Sequence, residues 1–371
     1  MTCILTLLHI TRRPIFCKRT CVTSHLTALH STPAKSEAQG PGHENESLLE
    51  NLTILGVDVR MVRRRQPGVL KRSVTNEHGL THFLQSKGAS REMVASIISR
   101  FPRAITRSGD HLEQRWELWR RVFKSDGEIV NILARSPESF FRSSDNGNLK
   151  KNIVFLGSLG LSSKDLYRLL TTAPRTFSNS LELNQQMVEL LRDVCLSLGG
   201  KDPDQFVRAI ISRNSYVLIR STKRIKGNVN FLQETLGLSS SKLLELLQGQ
   251  GAEVLDLSNE YLLNNFRDIQ QKLLSQGCSQ DEVKTLIIKY PPVLYISWVN
   301  LRNKIDCLQD GGVNIKQIVQ KPKVLEFSID NLKRRLKELQ EIAYDFEKNG
   351  IGILDSSQRR FDAKLLRLSG Q

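Results

Sequence analysis

Apolar residues recur along this chain at helical spacing, and each run ends at a helix breaker. Val94, Ile97, Ile98 and Phe101 precede Pro102; Ile129, Ile132 and Leu133 precede Pro137; Leu166, Leu169 and Leu170 precede Pro174; and Val283, Leu286, Ile287 and Tyr290 precede Pro291. Positions i, i+3, i+4 and i+7 share one helical face, and proline ends the helix because it lacks an N–H and clashes with the preceding turn. Two further copies replace the proline, with Ser215 after Val207, Ile210 and Ile211, and Gly251 after Leu243, Leu246 and Leu247. A shortened copy sets Ile315, Ile318 and Val319 before Pro322. Three residues past each stop an apolar side chain returns: Ile105, Phe140, Phe177, Leu218, Val254, Leu294 and Leu325. The stops are spaced by 35, 37, 41, 36, 40 and 31 residues, which is the signature of a repeat architecture.

The other end of each unit carries its own punctuation, at Gly88/Ser90, Gly160/Ser162, Gly237/Ser239, Gly277/Ser279 and Gly312/Asn314. Glycine closes one helix in a left-handed conformation and the hydroxyl or amide caps the next. Ser125 with Glu128, Ser162 with Asp165, and Ser279 with Glu282 have capping-box spacing. Each unit therefore reads as helix, glycine turn, capped helix, stop and short apolar turn. One unit cannot bury its apolar face alone, so the pattern predicts an all-α solenoid of stacked neighbours over residues 76–371. Residues 37–75, polar and mixed with Gly40, Pro41 and Gly42 near their start, are expected to be a linker and lead-in helix.

Charge adds a partner class. The 371 residues hold 54 Lys and Arg against 38 Asp and Glu, a formal +16 that favours polyanions without separating DNA, RNA and anionic lipid. Part of the excess lies at the start: residues 1–36 carry Arg12, Arg13, Lys18, Arg19 and Lys35, no acid, and many Ser and Thr. With those five set aside, 49 bases face 38 acids, a balance of +11. This opening fits a mitochondrial import peptide; a secretory signal would place its basic residues before the apolar stretch Ile4 to Ile10, not after it. No later stretch has the length of apolar residues that a membrane span needs, so no membrane partner is expected.

Phosphate-loop, zinc-protease and nucleophile-elbow motifs are absent, and no cysteine pair has zinc spacing. Cys3, Cys17 and Cys21 fall in the opening, leaving Cys195, Cys278 and Cys307 scattered, which suits a reducing compartment such as the mitochondrial matrix. Neither an enzyme nor a cofactor or metal site is expected.

Residues just after each stop occupy equivalent places and should line one side of the array. Those places hold Arg103 and Arg107; Arg142 and Ser143; Arg175; Arg220, Lys223 and Arg224; Arg302 and Lys304; Lys333, Arg334 and Arg335; and Arg359 and Arg360. Such a stripe can hold phosphates in register, and an arginine entering a groove can take guanine O6 and N7 bidentately. The competing reading is a rim of cations that only solubilises the array. Arg135 reads as an ordinary end-of-helix cation, and Tyr216 and Tyr261 read as repeat-interface aromatics.

The helix, proline and x-x-Leu/Phe pattern resembles the mitochondrial transcription termination factor family, over most of the chain from about residue 50. The segments QPGV (66–69), FPRAITR (101–107), RSPESFFRS (135–143), APRTFSNSL (173–181), STKR (221–224) and LDLSN (255–259) carry the closer likeness, to the family's founding member. The resemblance implies a left-handed solenoid of about seven to eight repeats, forming a half-ring around double-stranded mitochondrial DNA. It implies sequence-specific binding by a monomer within a leucine transfer-RNA gene just past the ribosomal RNAs, where the bound protein blocks the transcription machinery. It assigns guanine readout to Arg142, Arg175, Arg224 and Arg360, and puts Lys323 where the family has a further arginine, without the planar fork. It also assigns stacking on everted bases to Arg135, Tyr216 and Tyr261. Some family members suggest the alternative of an RNA-binding solenoid acting in mitochondrial ribosome assembly, and a protein-interaction array is the third expectation.

Overall fold

The structure is a computed structural model that describes residues 43–370, so the expected import peptide lies outside the described residues. From Glu44 onward the chain forms one compact body, all-helical among the described residues. Each unit contributes a first and a second helix: α1 (Glu46–Ile54) with α2 (Val59–Arg65), α3 (Glu77–Ser86) with α4 (Arg91–Arg100), and α5 (Gly109–Arg120) with α6 (Asp126–Arg135) followed by the short α7 (Pro137–Phe141). Then come α8 (Asn146–Ser158) with α9 (Ser163–Thr172), α10 (Leu181–Ser197) with α11 (Pro203–Arg213), and α12 (Thr222–Glu234) with α13 (Ser240–Gln248). The last are α14 (Asn259–Ser275) with α15 (Gln280–Lys289), α16 (Trp298–Asp310) with α17 (Ile315–Gln320), α18 (Ile329–Glu341) with α19 (Phe346–Asn349), and the terminal α20 (Gln358–Ser369).

The stops do more than end a helix. The residue before these prolines leaves the helical region, with ψ of 75° at Phe101, 55° at Ala173, 72° at Tyr290 and 64° at Lys321, and the proline then opens a short 3-10 helix at Pro102–Thr106, Pro174–Phe177, Pro291–Leu294 and Pro322–Glu326. Proline's fixed φ suits a first helical position and disfavours the helical region for its predecessor, so one residue gives both the break and the restart. The returning apolar side chains Ile105, Phe177, Leu294 and Leu325 are buried in these turns. At Ser215 and Gly251 the same 3-10 turn forms without proline, as Val217–Ile219 and Gln250–Asp256.

The glycine turns also form. Gly88, Gly160, Gly237, Gly277 and Gly312 all have positive φ, and Ser90, Ser162 and Ser279 each accept the N–H of the third residue after them. Ser162/Asp165 and Ser279/Glu282 close reciprocal capping boxes. In the third expected pair Ser125 caps Glu128, but the Glu128 carboxylate accepts from Lys124 N instead. Between α18 and α19 the left-handed position is taken by Ala343, at φ 52°.

First helices pack on first helices, as α3 on α5, α8 on α10 and α14 on α16, while second helices pack on second helices, as α4 on α6 and α11 on α13. The post-stop turns touch one another along a third row. Residues 46–69 are not a linker. They make a full unit, with Gly56 at φ 82°, a 3-10 turn at Pro67–Val69 and Leu48, Leu52, Val62 and Val69 buried, because four apolar residues suffice when the next unit covers them.

Candidate nucleic-acid interface

The junction between a post-stop turn and the next first helix is built the same way in successive units. A serine caps the helix and accepts the N–H of its third residue, as Ser108 from His111, Ser180 from Leu183, Ser221 from Arg224, Ser258 from Tyr261 and Ser328 from Asn331. This cap sets two registers of side chain. One lies immediately after the stop, where the exposed Arg103, Arg175, Tyr216 and Lys323 stand; the other lies three residues after the cap, where the half-buried Arg224 and the exposed Tyr261 and Arg360 stand. Tyr216 and Tyr261 are 40% and 38% exposed, so neither is the buried interface aromatic that spacing alone favoured. Tyr290, just before its stop, is the buried kind.

Of the expected contact residues, Arg142, Arg175, Lys223, Lys323, Lys333, Arg359 and Arg360 present exposed side chains. Ser143 is half-buried, its Oγ accepting from Asp145 N at 3.2 Å. Arg302 is exposed but lies 3.5 Å from Asp306, which also holds Lys272 at 2.7 Å. Arg220 pairs with Asp256 at 2.9 Å, and its guanidinium carbon lies 5.7 Å from the centroid of the Tyr216 ring. Arg224 donates from Nη1 to the Asp256 main-chain oxygen at 3.3 Å. Burial, and then the neighbouring Arg220, push the Arg224 guanidinium below its ordinary pKa, while Asp256 opposes the shift.

Lys304 and Arg335 do not belong to the exposed stripe. Lys304 is buried and donates from Nζ to Leu325 O at 2.7 Å; Arg335 is buried and donates from Nη1 to Leu354 O and Ser356 O at 2.7 and 2.8 Å. The Arg335 guanidinium also lies between the Phe327 and Phe361 rings, at 4.6 and 4.7 Å. Both belong to an internal ladder in which a buried donor on several first helices satisfies turn carbonyls. Asn228 donates to Val254 O, Leu255 O and Leu257 O, Asn265 to Leu294 O and Ile296 O, and Arg115 to Phe140 O. Turn carbonyls at helix ends lack intrahelical partners, and leaving them buried and unmet is costly. A sequence signal existed: each ladder residue stands three after a buried aliphatic, as in Leu112/Arg115, Leu149/Asn152, Ile225/Asn228, Leu262/Asn265, Leu301/Lys304 and Leu332/Arg335.

Arg135 ends a second row. Arg65 donates from Nη1 to Arg100 O at 3.2 Å, and Arg100 donates in turn to Ala134 O at 2.6 Å and to Arg135 O. Each arginine thereby meets the negative end of the following second helix, the dipole interaction expected of an end-of-helix cation. Arg135 is exposed, with Nε bonded to Asn131 O at 3.2 Å and Nη2 to Tyr167 Oη at 3.3 Å. The sequence reading began its stripe at Arg103 and omitted the first unit, whose Arg64, Arg65, Lys71 and Arg72 are exposed too.

Among the described residues no group of His, Cys, Asp and Glu is placed to hold a metal ion, and no helix is long and apolar enough to cross a membrane. Cys195 and Cys278 are buried free thiols and Cys307 is half-buried.

Comparison with known proteins gives the same repeat a name. The chain is 53% identical over 326 residues to human transcription termination factor 1, mitochondrial, an overlap covering 88% of this chain and 82% of that protein. It is 51% identical over 345 residues to the Rattus norvegicus protein of that name, covering 93% and 92%. It is 31% identical over 330 residues to human transcription termination factor 2, mitochondrial, covering 88% and 85%. A family model described as mTERF matches residues 47–362, and the chain belongs to the mTERF family.

Proposed function

We propose that this chain is a mitochondrial transcription termination factor that binds double-stranded DNA sequence-specifically, as a monomer and without catalysis. The observation that carries this reading is the gathering of cations and tyrosines at the junctions between post-stop turns and first helices. Four of the seven places just after a stop hold Arg103, Arg175, Tyr216 and Lys323, and Arg224, Tyr261 and Arg360 stand three residues after a cap, which sets groups suited to phosphates and bases at matching places in several units.

On this reading the units form a left-handed solenoid bent into a half-ring, with the two registers toward the duplex. Lys223, Lys323, Lys333 and Arg359 neutralise phosphates, while Arg142, Arg175, Arg224 and Arg360 enter grooves to read guanine. Arg135, Tyr216 and Tyr261 stack on bases everted from a locally unwound site, a role for which flat faces are suited. The relatives' names supply the process, transcription termination, and the compartment, the mitochondrion. The site is taken to lie at the ribosomal RNA and leucine transfer-RNA boundary, in the nucleoid of the matrix, with residues 1–36 directing import.

Competition at high salt between duplex DNA, single-stranded RNA and structured RNA tests the reading. Duplex DNA should compete best, and one duplex sequence should be enriched from a random pool. An RNA that outcompetes every duplex would instead support a solenoid acting in mitochondrial ribosome assembly.

A further inference from the structure

In three units the residue just before a first-helix cap reaches across to the turn of the next unit. Arg107 donates from Nη2 to Phe141 O at 2.9 Å, and Asn179 donates from Nδ2 to Leu218 O at 3.2 Å. Arg220 holds the same place before Ser221, yet its acceptor is a carboxylate, Asp256 Oδ2, at 2.9 Å. Asp256 is only 6% exposed and stands two residues ahead of Ser258, the cap that opens α14 and presents Tyr261. Its main-chain oxygen accepts from Arg224, and its ion-pair partner Arg220 lies against the Tyr216 ring. One acidic residue thus contacts two half-buried arginines of the candidate stripe and, through one of them, a tyrosine.

A fixed negative charge in a face that meets a polyanion weakens binding by like-charge repulsion. The neutral carbonyl that serves Arg107 and Asn179 would have satisfied Arg220 without that cost. What the carboxylate adds is a strong, directional hold on one guanidinium. An arginine held in an ion pair is already neutralised and displaces no counterion when a phosphate arrives.

Resting on the reading that this face binds duplex DNA, we propose that Asp256 is a specificity-setting positioning residue. It holds Arg220 as an ion pair against Tyr216, fixes the approach of Arg224, and withholds the Arg220 charge from indiscriminate phosphate contact. The consequence is a lower affinity for unrelated DNA and a larger gap between the preferred sequence and the rest.

The test compares the full chain with Asp256→Asn, which keeps the shape and removes the charge. Affinity is measured against salt for two probes, a duplex enriched from a random pool and an unselected duplex of equal length, with a melting curve for each protein. The variant should bind the unselected duplex with a salt slope steeper by about 0.9, one added phosphate contact, and its preference ratio should fall about tenfold. Unchanged slope and ratio in a variant that melts like the parent overturn the proposal. Arg220→Met supplies an arm that does not depend on the stability of the first variant. Because Arg220 is held by Asp256, its removal should lower the preference ratio while leaving the unselected-duplex slope where it was. A slope shallower by about 0.9 would show Arg220 already on a phosphate and overturn the proposal. If the unmodified protein enriches no duplex sequence, the underlying DNA reading fails instead.

Discussion

The Lys304 ammonium lies 2.7 Å from the main-chain oxygen of Leu325, buried beneath the turn whose next exposed cation is Lys323. Two lysines of one junction therefore have opposite duties. Lys304→Met removes the donor and leaves a buried carbonyl unmet, which should cost about 1–3 kcal/mol in unfolding free energy without altering the salt slope of duplex binding. Lys323→Ala should leave the melting temperature in place and make the slope shallower by about one. Chemical denaturation and salt titration of both variants check the division; a Lys304 variant that binds weakly yet unfolds like the parent would put that side chain back on the surface.

What the sequence reveals follows from how local the cause is. Proline stops, glycine turns and serine caps act within a few residues, so Pro174, Gly160 and Ser162 announce their structure directly. The direction of a cation does not have a local cause. Lys304 and Arg335 look like Lys333 and Arg334 until their register against Leu301 and Leu332 is counted, and the ladder that explains them spans two units. The first unit was illegible for a related reason: α2 is seven residues of which four are arginine, and Val62 alone among them is buried. Its apolar face is completed by α4, which no window over residues 59–65 includes.

Ala343 occupies a left-handed conformation, φ 52°, at the turn between α18 and α19, where earlier units use glycine. A Cβ in that region costs on the order of 1 kcal/mol, because it crowds the following carbonyl. Ala343→Gly should therefore stabilise the protein by about 0.5–1 kcal/mol, the added freedom of the unfolded glycine offsetting part of the relief. Equilibrium denaturation gives the sign, and a loss of stability would mean that the methyl group packs usefully enough to outweigh its strain.

His111 is half-buried, with its Nδ1 3.2 Å from Asn146 Nδ2, and its pKa is pushed from 6.5 down to about 4, first by burial and then by Arg115 and Arg107. Between pH 6.5 and 4 the unfolded chain binds the proton that the folded chain refuses, so unfolding takes up protons and stability falls as the solution is acidified through this window. His111→Gln should flatten that part of the stability profile relative to the parent, while the carboxylates common to both proteins continue to titrate. Parallel melting curves for the two proteins between pH 7 and 4, with no change in their difference, would show that folding does not depress the proton affinity of this imidazole.

Direct readout and stacking make separable demands on the candidate interface. Arg142→Ala, Arg175→Ala and Arg224→Ala should each reduce preference for the enriched duplex by about 1–3 kcal/mol, because a bidentate pair to guanine is lost while the phosphate contacts remain. An unchanged ratio in all three would contradict readout by these side chains.

Arg135, Tyr216 and Tyr261 should behave differently, and their energies explain why. Everting a base costs on the order of a few kcal/mol, and a stacked side chain returns about 1–3 kcal/mol, so the set largely offsets the distortion it requires and leaves little net affinity. The two tyrosines are 40% and 38% exposed, Tyr216 with the Arg220 guanidinium against its ring, and Arg135 is exposed with bonds to Asn131 O and Tyr167 Oη. Alanine at all three positions should thus give a folded protein that still finds its duplex and terminates transcription poorly. A fluorescent adenine analogue at the centre of the enriched duplex brightens when unstacked and reads eversion directly, alongside a run-off transcription assay for termination. Absence of brightening with the unmodified protein, or full termination by the triple variant, would remove base eversion from the mechanism.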